Sequence, residues 1–352
     1  MSPGRPSDRE FDGLWRVRRV RVPWPVPFRG HEHTPREYLR DPFARFVEIE
    51  AALEPSRGLL GDHVAQVFAA LILVGVPGEP AAVADALRQT AQGLSSGPFG
   101  APMVIGAPML QVFAACVVRH GDNVDSLVAE CERVIQLMRK HRLRRDRTWE
   151  LTSILGLRVL LRGAAIEDAH VGRMRQIYDA LKAHSWWKTG PEDLPACAML
   201  ALSEGTPEEL AARADAIYRG LAEDANLFTR GFAQDASNLL ALAPVQPEIL
   251  VERVRGLRAA FTAAGLSTLV FEDLASLSFI PRSPEPIVAQ VVELLARFDA
   301  HARWGDRIAG YTTRYAVNLA FVYLTGNQSE LGPLADVKAL RDMYAIVVAR
   351  SG

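Results

Sequence analysis

From about residue 34 to the C-terminus, apolar and polar positions alternate with the period of a helix rather than that of a strand. Val128, Cys131, Val134, Ile135 and Met138 share one helical face, as do Leu210, Ala214, Ile217, Tyr218 and Leu221. Leu250, Val254, Leu257 and Phe261 make a third face, and Ile287, Val288, Val291, Leu294, Leu295 and Phe298 a fourth. Start signals agree with these faces. Thr206-Pro207-Glu208-Glu209 combines a capping Thr, a Pro at the first helical position and a Glu placed to close a capping box. Ser283-Pro284 repeats the cap and the proline. Gly121-Asp122 and Gly205-Thr206 each end one helix and begin the next, which predicts short connections.

The helices recur in order. Residues 110–157 align with 194–242: LVAECERVIQLM matches LAARADAIYRGL, and ELTSILGL matches DASNLLAL. A third copy runs from IVAQVVELLARF (287–298) to YAVNLAFV (315–322), with Ser153, Asn238 and Asn318 at equivalent places. LILVGVPGEPAAVADAL (71–87) is a half-copy of 199–217. First helices are expected near residues 59, 105, 148, 192, 230, 270 and 307, after a leading helix at 34–54. The unit is a helix pair of about 42 residues, a length typical of helix-pair repeats. Such a pair cannot bury its apolar face alone and must stack on neighbours. The predicted fold is all-α: about seven antiparallel pairs stacked as a curved α-solenoid or a closed α/α toroid, in one helical-repeat domain over residues 34–352.

Residues 1–33 break the helical period. In LWRVRRVRV (14–22) β-branched and basic residues alternate with one slip of phase, as in an edge strand with a bulge. Prolines at 23, 25 and 27 then favour an extended polyproline segment, so this stretch is expected to form a basic, Pro-rich arm.

Composition narrows the picture. A net charge of -1 excludes an electrostatic binder of nucleic acid or membrane as a whole and leaves only local patches. Cys116, Cys131 and Cys197 are odd in number, lie inside apolar helical patterns and form no CxxC, so they read as small buried hydrophobes of a reducing compartment. No secretory signal is readable, and the most apolar stretch, Val64 to Val76, is too short to span a bilayer. A cytoplasmic location is the expectation.

Residues 177–244 resemble a bacterial family catalogued as a domain of unknown function (number 4003). The likeness is carried by a Tyr-x-x-Leu helix, a Trp-containing loop, an Ala/Leu-rich helix, a second Tyr-x-x-Leu helix and a Ser-x-x-Leu-Ala-Leu helix. Tyr178 and Tyr218 with Leu181 and Leu221 match the pattern. The resemblance extends over residues 40–350. It implies an all-helical fold and brings no catalytic residues.

Three features carry candidate chemistry. The run Arg139-Lys140-His141-Arg142-Leu143-Arg144-Arg145-Asp146-Arg147 holds seven bases in nine residues, which suits phosphates or another anionic surface. Its bland reading is a helix end whose cations complement the dipole. The starts of the first helices carry acids and aromatics: Trp149-Glu150, Trp186-Trp187 with Glu192-Asp193, Phe232 with Asp235, Glu272-Asp273, and Trp304 with Asp306, Tyr311 and Arg314. In a toroid these converge at one mouth, where paired carboxylates suit glycoside chemistry. Helix-dipole and capping preferences explain the same acids without a ligand. Polar residues inside apolar helices (Asn238, Asn318, Arg314, Gln111 and Asp235) either line a groove or satisfy nearby backbone. His31-Glu32-His33 has no third ligand near in sequence except His63, so no metal is expected. Gly97-Pro98-Phe99-Gly100-Ala101-Pro102 reads as a turn-rich loop.

Helix-pair arrays present long concave surfaces. The first expectation is therefore a non-enzymatic scaffold without a cofactor, holding a protein, peptide or small-molecule ligand. Its groove candidates are Trp149, Trp187, Glu192, Asp193, Asp235, Asn238, Glu272, Asp273, Arg314 and Asn318. The alternative is a toroid enzyme acting on a saccharide or another polar small molecule. The third is an anion or nucleic-acid binder using Arg139, Lys140, Arg142, Arg144, Arg145 and Arg147.

Overall fold

The computed structural model describes residues 41–53, 63–95, 107–143, 146–185, 189–223, 230–243, 245–266, 271–280, 282–301 and 312–325. The N-terminal arm, His31, His33, the 97–102 loop, Arg144, Arg145, Trp186, Trp187, Trp304, Asp306 and Tyr311 lie outside the described residues. Among the described residues there are fourteen α-helices and no strand. They are α1 (Pro42–Leu53), α2 (His63–Leu73), α3 (Pro80–Leu94), α4 (Ala107–His120), α5 (Val124–Lys140), α6 (Arg147–Leu160) and α7 (Asp168–Ser185). Then follow α8 (Leu194–Leu200), α9 (Pro207–Ala222), α10 (Arg230–Leu240), α11 (Pro247–Ala263), α12 (Phe271–Ser278), α13 (Pro284–Ala300) and α14 (Thr312–Thr325). The first helices expected near 148, 230 and 270 begin at 147, 230 and 271.

The chain divides into two compact units, whose described parts are residues 41–211 and 212–325. In the first unit, α2 packs on α4, α4 on α6 and α6 on α8, while α1 packs on α3, α3 on α5 and α5 on α7. In the second, α10 packs on α12 and α12 on α14, while α11 packs on α13. Links between the two rows are α3 to α4, α5 to α6 and α7 to α8 in the first unit, and α11 to α12 and α13 to α14 in the second. Each unit is thus two layers of helices around a shared apolar core.

The two rows differ in burial, and sequence explains why. The α6 segment from Glu150 to Leu160, all of α8 and nearly all of α12 are buried. These helices are apolar around most of their circumference and form the inner layer. Helices α5, α11 and α13 bury one stripe: Leu127, Cys131, Val134, Ile135 and Met138 in α5, and Ile287, Val288, Val291, Leu294 and Phe298 in α13. Three expected face positions fall at the edge of their stripes, Leu295 of α13 being half-buried. Val128 and Tyr218 are half-buried, and Leu127 and Ala211 take the core positions beside them. Packing against a neighbour on one side rotates the stripe by part of a turn.

The end signals work as chemistry requires. Thr206 Oγ1 accepts the Glu209 N–H at 3.2 Å and Glu209 Oε2 accepts the Thr206 N–H at 2.8 Å, a complete capping box for α9. Ser283 stands at the N-cap of α13 but its hydroxyl makes no capping bond, so Pro284 is the operative signal there. Gly121, at φ 61°, ends α4, and α5 starts three residues later behind Asn123, whose side chain accepts the Ser126 N–H at 2.9 Å. All three cysteines are free and buried, and burial pushes the Cys131 and Cys197 thiols well up.

Candidate functional site

Arginines of the outer helices tie the layers together. Arg173 of α7 donates through Nη2 to the Ser203 and Gly205 carbonyls, at 2.9 and 2.5 Å, just past the end of α8. Arg213 of α9 reaches the Ala241 and Ala243 carbonyls past α10, both at 3.5 Å. Arg253 of α11 donates to the Ser278, Ile280 and Arg282 carbonyls past α12. Arg45 of α1 does the same to Val76 and Gly78 past α2. In each case a cation meets carbonyls at a helix C-terminus, where the dipole favours it. Burial pushes Arg253 down to about 10, which leaves it cationic at neutral pH. In α5 the same job is split: Glu130 Oε1 accepts the Ile166 N–H at 2.5 Å while Arg133 Nη2 donates to the Ile166 carbonyl at 2.6 Å. Burial raises the Glu130 carboxyl, but the Arg133 guanidinium and the Ile166 N–H outweigh it and hold the group below its ordinary value. The sequence reading missed this set, although Arg173, Arg213 and Arg253 stand 40 residues apart inside expected helices.

The described groove candidates lie on or just before the inner helices. Trp149, half-buried, and Glu150, 1% exposed, sit in the first turn of α6, where the Asp146 carboxylate accepts the Thr148 and Trp149 N–H groups. Glu192 and Asp193 form a short 3-10 turn before α8; Glu192 is exposed, while Asp193 is buried and its Oδ2 accepts the Gly190 N–H at 3.0 Å. Because α6 packs on α8, these acids stand on adjacent inner helices. In the second unit, Asp235 and Asn238 lie in α10, Glu272 and Asp273 in the first turn of α12, and Arg314 and Asn318 in α14, again on packed neighbours. Asp273, Asn238 and Asn318 are buried; Asp235, Glu272 and Arg314 are half-buried.

Several inner-layer polar groups bond to their own helix. The Ser153 hydroxyl donates to the Trp149 carbonyl at 2.7 Å, Ser276 to Glu272 at 2.9 Å, and the Asn318 amide to Arg314 at 2.8 Å. Such back-bonding lets a short polar side chain sit in an apolar layer with its hydrogen satisfied. For Asn318 the backbone role is therefore occupied, while the carboxylates of Glu150 and Asp273 remain the costlier buried groups.

The basic run is partly neutralised. Lys140 Nζ and His141 Nε2 both lie 2.9 Å from the Asp168 carboxylate at the start of α7. Arg147 Nη1 is 3.8 Å from Glu150 Oε2. Arg139 is exposed and bonded to Gln136 at 3.0 Å, and Arg142 is exposed at φ 58°, closing the end of α5. Its carbonyl accepts from Arg175 at 2.9 Å. Among the described residues no group of three or more His, Cys, Asp and Glu is placed to hold a metal, and no helix is long and apolar enough to cross a membrane.

Fold and inner-layer chemistry together define an all-α protein built of two-layer helical units with acids and amides set into the inner layer. Residues 109–350 match the family described as "Protein of unknown function (DUF4003)", and the chain belongs to that family. Neither the curated proteins nor the solved structures give a match.

Proposed function

We propose that this protein is a binding scaffold that receives a polar ligand, peptide or protein segment along the N-terminal ends of its inner helices. The observation that carries this reading is Asp273, 2% exposed in the first turn of α12, beside Glu272 and on a helix packed between those bearing Asp235 with Asn238 and Arg314. Acids and amides gathered at the starts of packed inner helices favour a ligand offering cations or hydrogen-bond donors. Trp149 with Glu192 and Asp193 supplies a second set in the first unit. The finer architecture belongs to the same proposal: antiparallel helix pairs stacked as a solenoid or a toroid, a single repeat domain over residues 34–352. The family match supports it by running through both units. Three buried free cysteines support a reducing, cytoplasmic setting.

The second reading, a toroid enzyme acting on a saccharide or other polar small molecule, draws on the same carboxylates. The third, anion or nucleic-acid binding through residues 139–147, is weakened by the pairing of Lys140 and His141 with Asp168. One screen separates them. Melting temperatures are read against cationic peptides, oligosaccharides and heparin, since a native-state ligand raises the midpoint. The scaffold reading expects a peptide or small-molecule hit that Glu272→Gln with Asp273→Asn abolishes. Turnover of an oligosaccharide lost in the same variant favours the enzyme. A heparin response that salt suppresses and Arg139→Glu with Arg142→Glu removes favours the third.

A further inference from the structure

The start of α7 is pinned through three successive residues. Glu130 and Arg133 of α5 hold the N–H and the carbonyl of Ile166. Lys140 and His141, at the end of α5, both meet the Asp168 carboxylate at 2.9 Å. Between these, the Glu167 N–H donates to Nδ1 of His170 at 3.0 Å. The Glu167 carbonyl in turn accepts the His170 and Val171 N–H groups at 3.1 and 3.4 Å. Glu167 is therefore the N-cap. His170, three residues on, returns its side chain to the N-cap N–H as a Glu or Gln does in a capping box. At the start of α9 a carboxylate has that task, Glu209 accepting the Thr206 N–H.

An imidazole makes the bond conditional. A ring nitrogen accepts only while the imidazole is neutral, because both nitrogens of the imidazolium are donors. Protonated, His170 cannot take the Glu167 N–H, and it also sets a cation at a helix N-terminus, where the dipole opposes it. His141 has the opposite setting. It caps the C-terminal end of α5, where the dipole favours a cation, and it faces the Asp168 carboxylate.

The other charged groups around the joint do not share this behaviour. From α5 they are Glu130, Arg133, Lys140 and, just past its end, Arg142. On α7 and at its N-cap they are Glu167, Asp168, Arg173 and the Arg175–Asp179 pair. Helix α8, also packed on α7, brings Cys197, with Asp193 just before it. Carboxylates ordinarily change charge below the range from about pH 5 to 8, and ammonium and guanidinium groups above it. Burial pushes the Cys197 thiol further up. Among the described residues at this joint, His141 and His170 are the side chains of the type that changes charge inside the range.

We propose that His170 is a pH-sensitive cap: neutral, it closes the first turn of α7, and protonated, it releases that turn while protonated His141 tightens on Asp168. Acidification thus passes the start of α7 from its own cap to the end of α5. Arg173, one turn further on, keeps its bonds to the Ser203 and Gly205 carbonyls through the change, so the release is confined to the first turn. The device stands independently of the groove reading.

The test uses the full chain and compares hydrogen exchange of the Glu167, His170 and Val171 amides between wild type and His170→Gln at the same pH, which cancels the intrinsic chemistry. Glutamine keeps an acceptor at this position and carries no imidazole. At about pH 5.5 the wild-type amides are expected to exchange about 3–10-fold faster than those of the variant, and at about pH 8 within about twofold of them. His170→Glu, the residue type that α9 uses, is expected to behave as His170→Gln does. His141→Gln is expected to leave the pH response of these amides in place and to lower the urea midpoint more at pH 5.5 than at pH 8. A wild-type to His170→Gln ratio that is the same at both pH values overturns the proposal. So does a pH response that His141→Gln abolishes and His170→Gln retains.

Discussion

Arg253 donates to three carbonyls from a buried position, whereas Arg213 reaches two carbonyls at 3.5 Å from a half-buried one. Strength follows geometry, because a hydrogen bond at that distance is marginal and a buried charged one is not. Truncating Arg253 also leaves buried carbonyls without their donor. Arg253→Ala is expected to cost about 3 kcal/mol in urea unfolding and Arg213→Ala under about 1 kcal/mol. Equal losses would show that neither burial nor bond geometry sets the effect. Asp168 gives a prediction in pH. Bonds from Lys140 and then His141 hold its carboxyl below the ordinary 3.8. The unfolded chain therefore takes up the proton first as pH falls. The stabilisation is whole above about 3.8 and drains away as pH drops from there toward the lower folded value. The urea midpoint of Asp168→Asn should lie below wild type at pH 7, and the gap should narrow as pH falls below 3.8. A gap that stays constant over that range would refute the assignment.

Between elements, close approach is the constraint that pattern analysis does not see. Gly220 of α9 faces α11, and a Cβ there would lie 2.7 Å from Val251 Cγ2 and 3.1 Å from Cγ1. Val251 is buried, so it has little room to yield. Gly220→Ala is expected to destabilise by about 1–3 kcal/mol although alanine is the better helix former. Adding Val251→Ala should recover part of that loss, and a thermodynamic cycle on thermal or urea midpoints measures the coupling. Strict additivity of the two changes would mean the helices part to accommodate the methyl. Helix ends were more legible than helix contacts. Pro207, Thr206 and Glu209 start α9 through local bonds that need no neighbour.

Across the molecule, the inner layer of each unit is where apolar composition and polar exceptions meet. A helix buried on nearly all sides, such as α8 or α12, admits a polar group when that group bonds to backbone or is offset by a ligand. Ser153, Ser276 and Asn318 take the first route. Asp273 is the buried acid on which the scaffold proposal turns. Family membership widens the reach of these tests, because any ligand found here bears on a family that carries no assigned function in its description.

The all-helical character, several helix starts, the Thr206–Glu209 capping box and most of the expected core positions were readable from the chain alone. They arise from interactions within a few residues: the 3.6-residue period, the proline at the first turn, the Thr–Glu box. The candidate acids were legible by type for the same reason, since helix starts announce themselves. Tertiary structure decided which helices are inner and which face rotates toward the core. It decided that Arg253 would end on three carbonyls 25 to 29 residues downstream, and that Lys140 would be neutralised by Asp168. It alone brought His141 onto Asp168. Those outcomes depend on distances between segments far apart in the chain, and local periodicity carries no information about such distances.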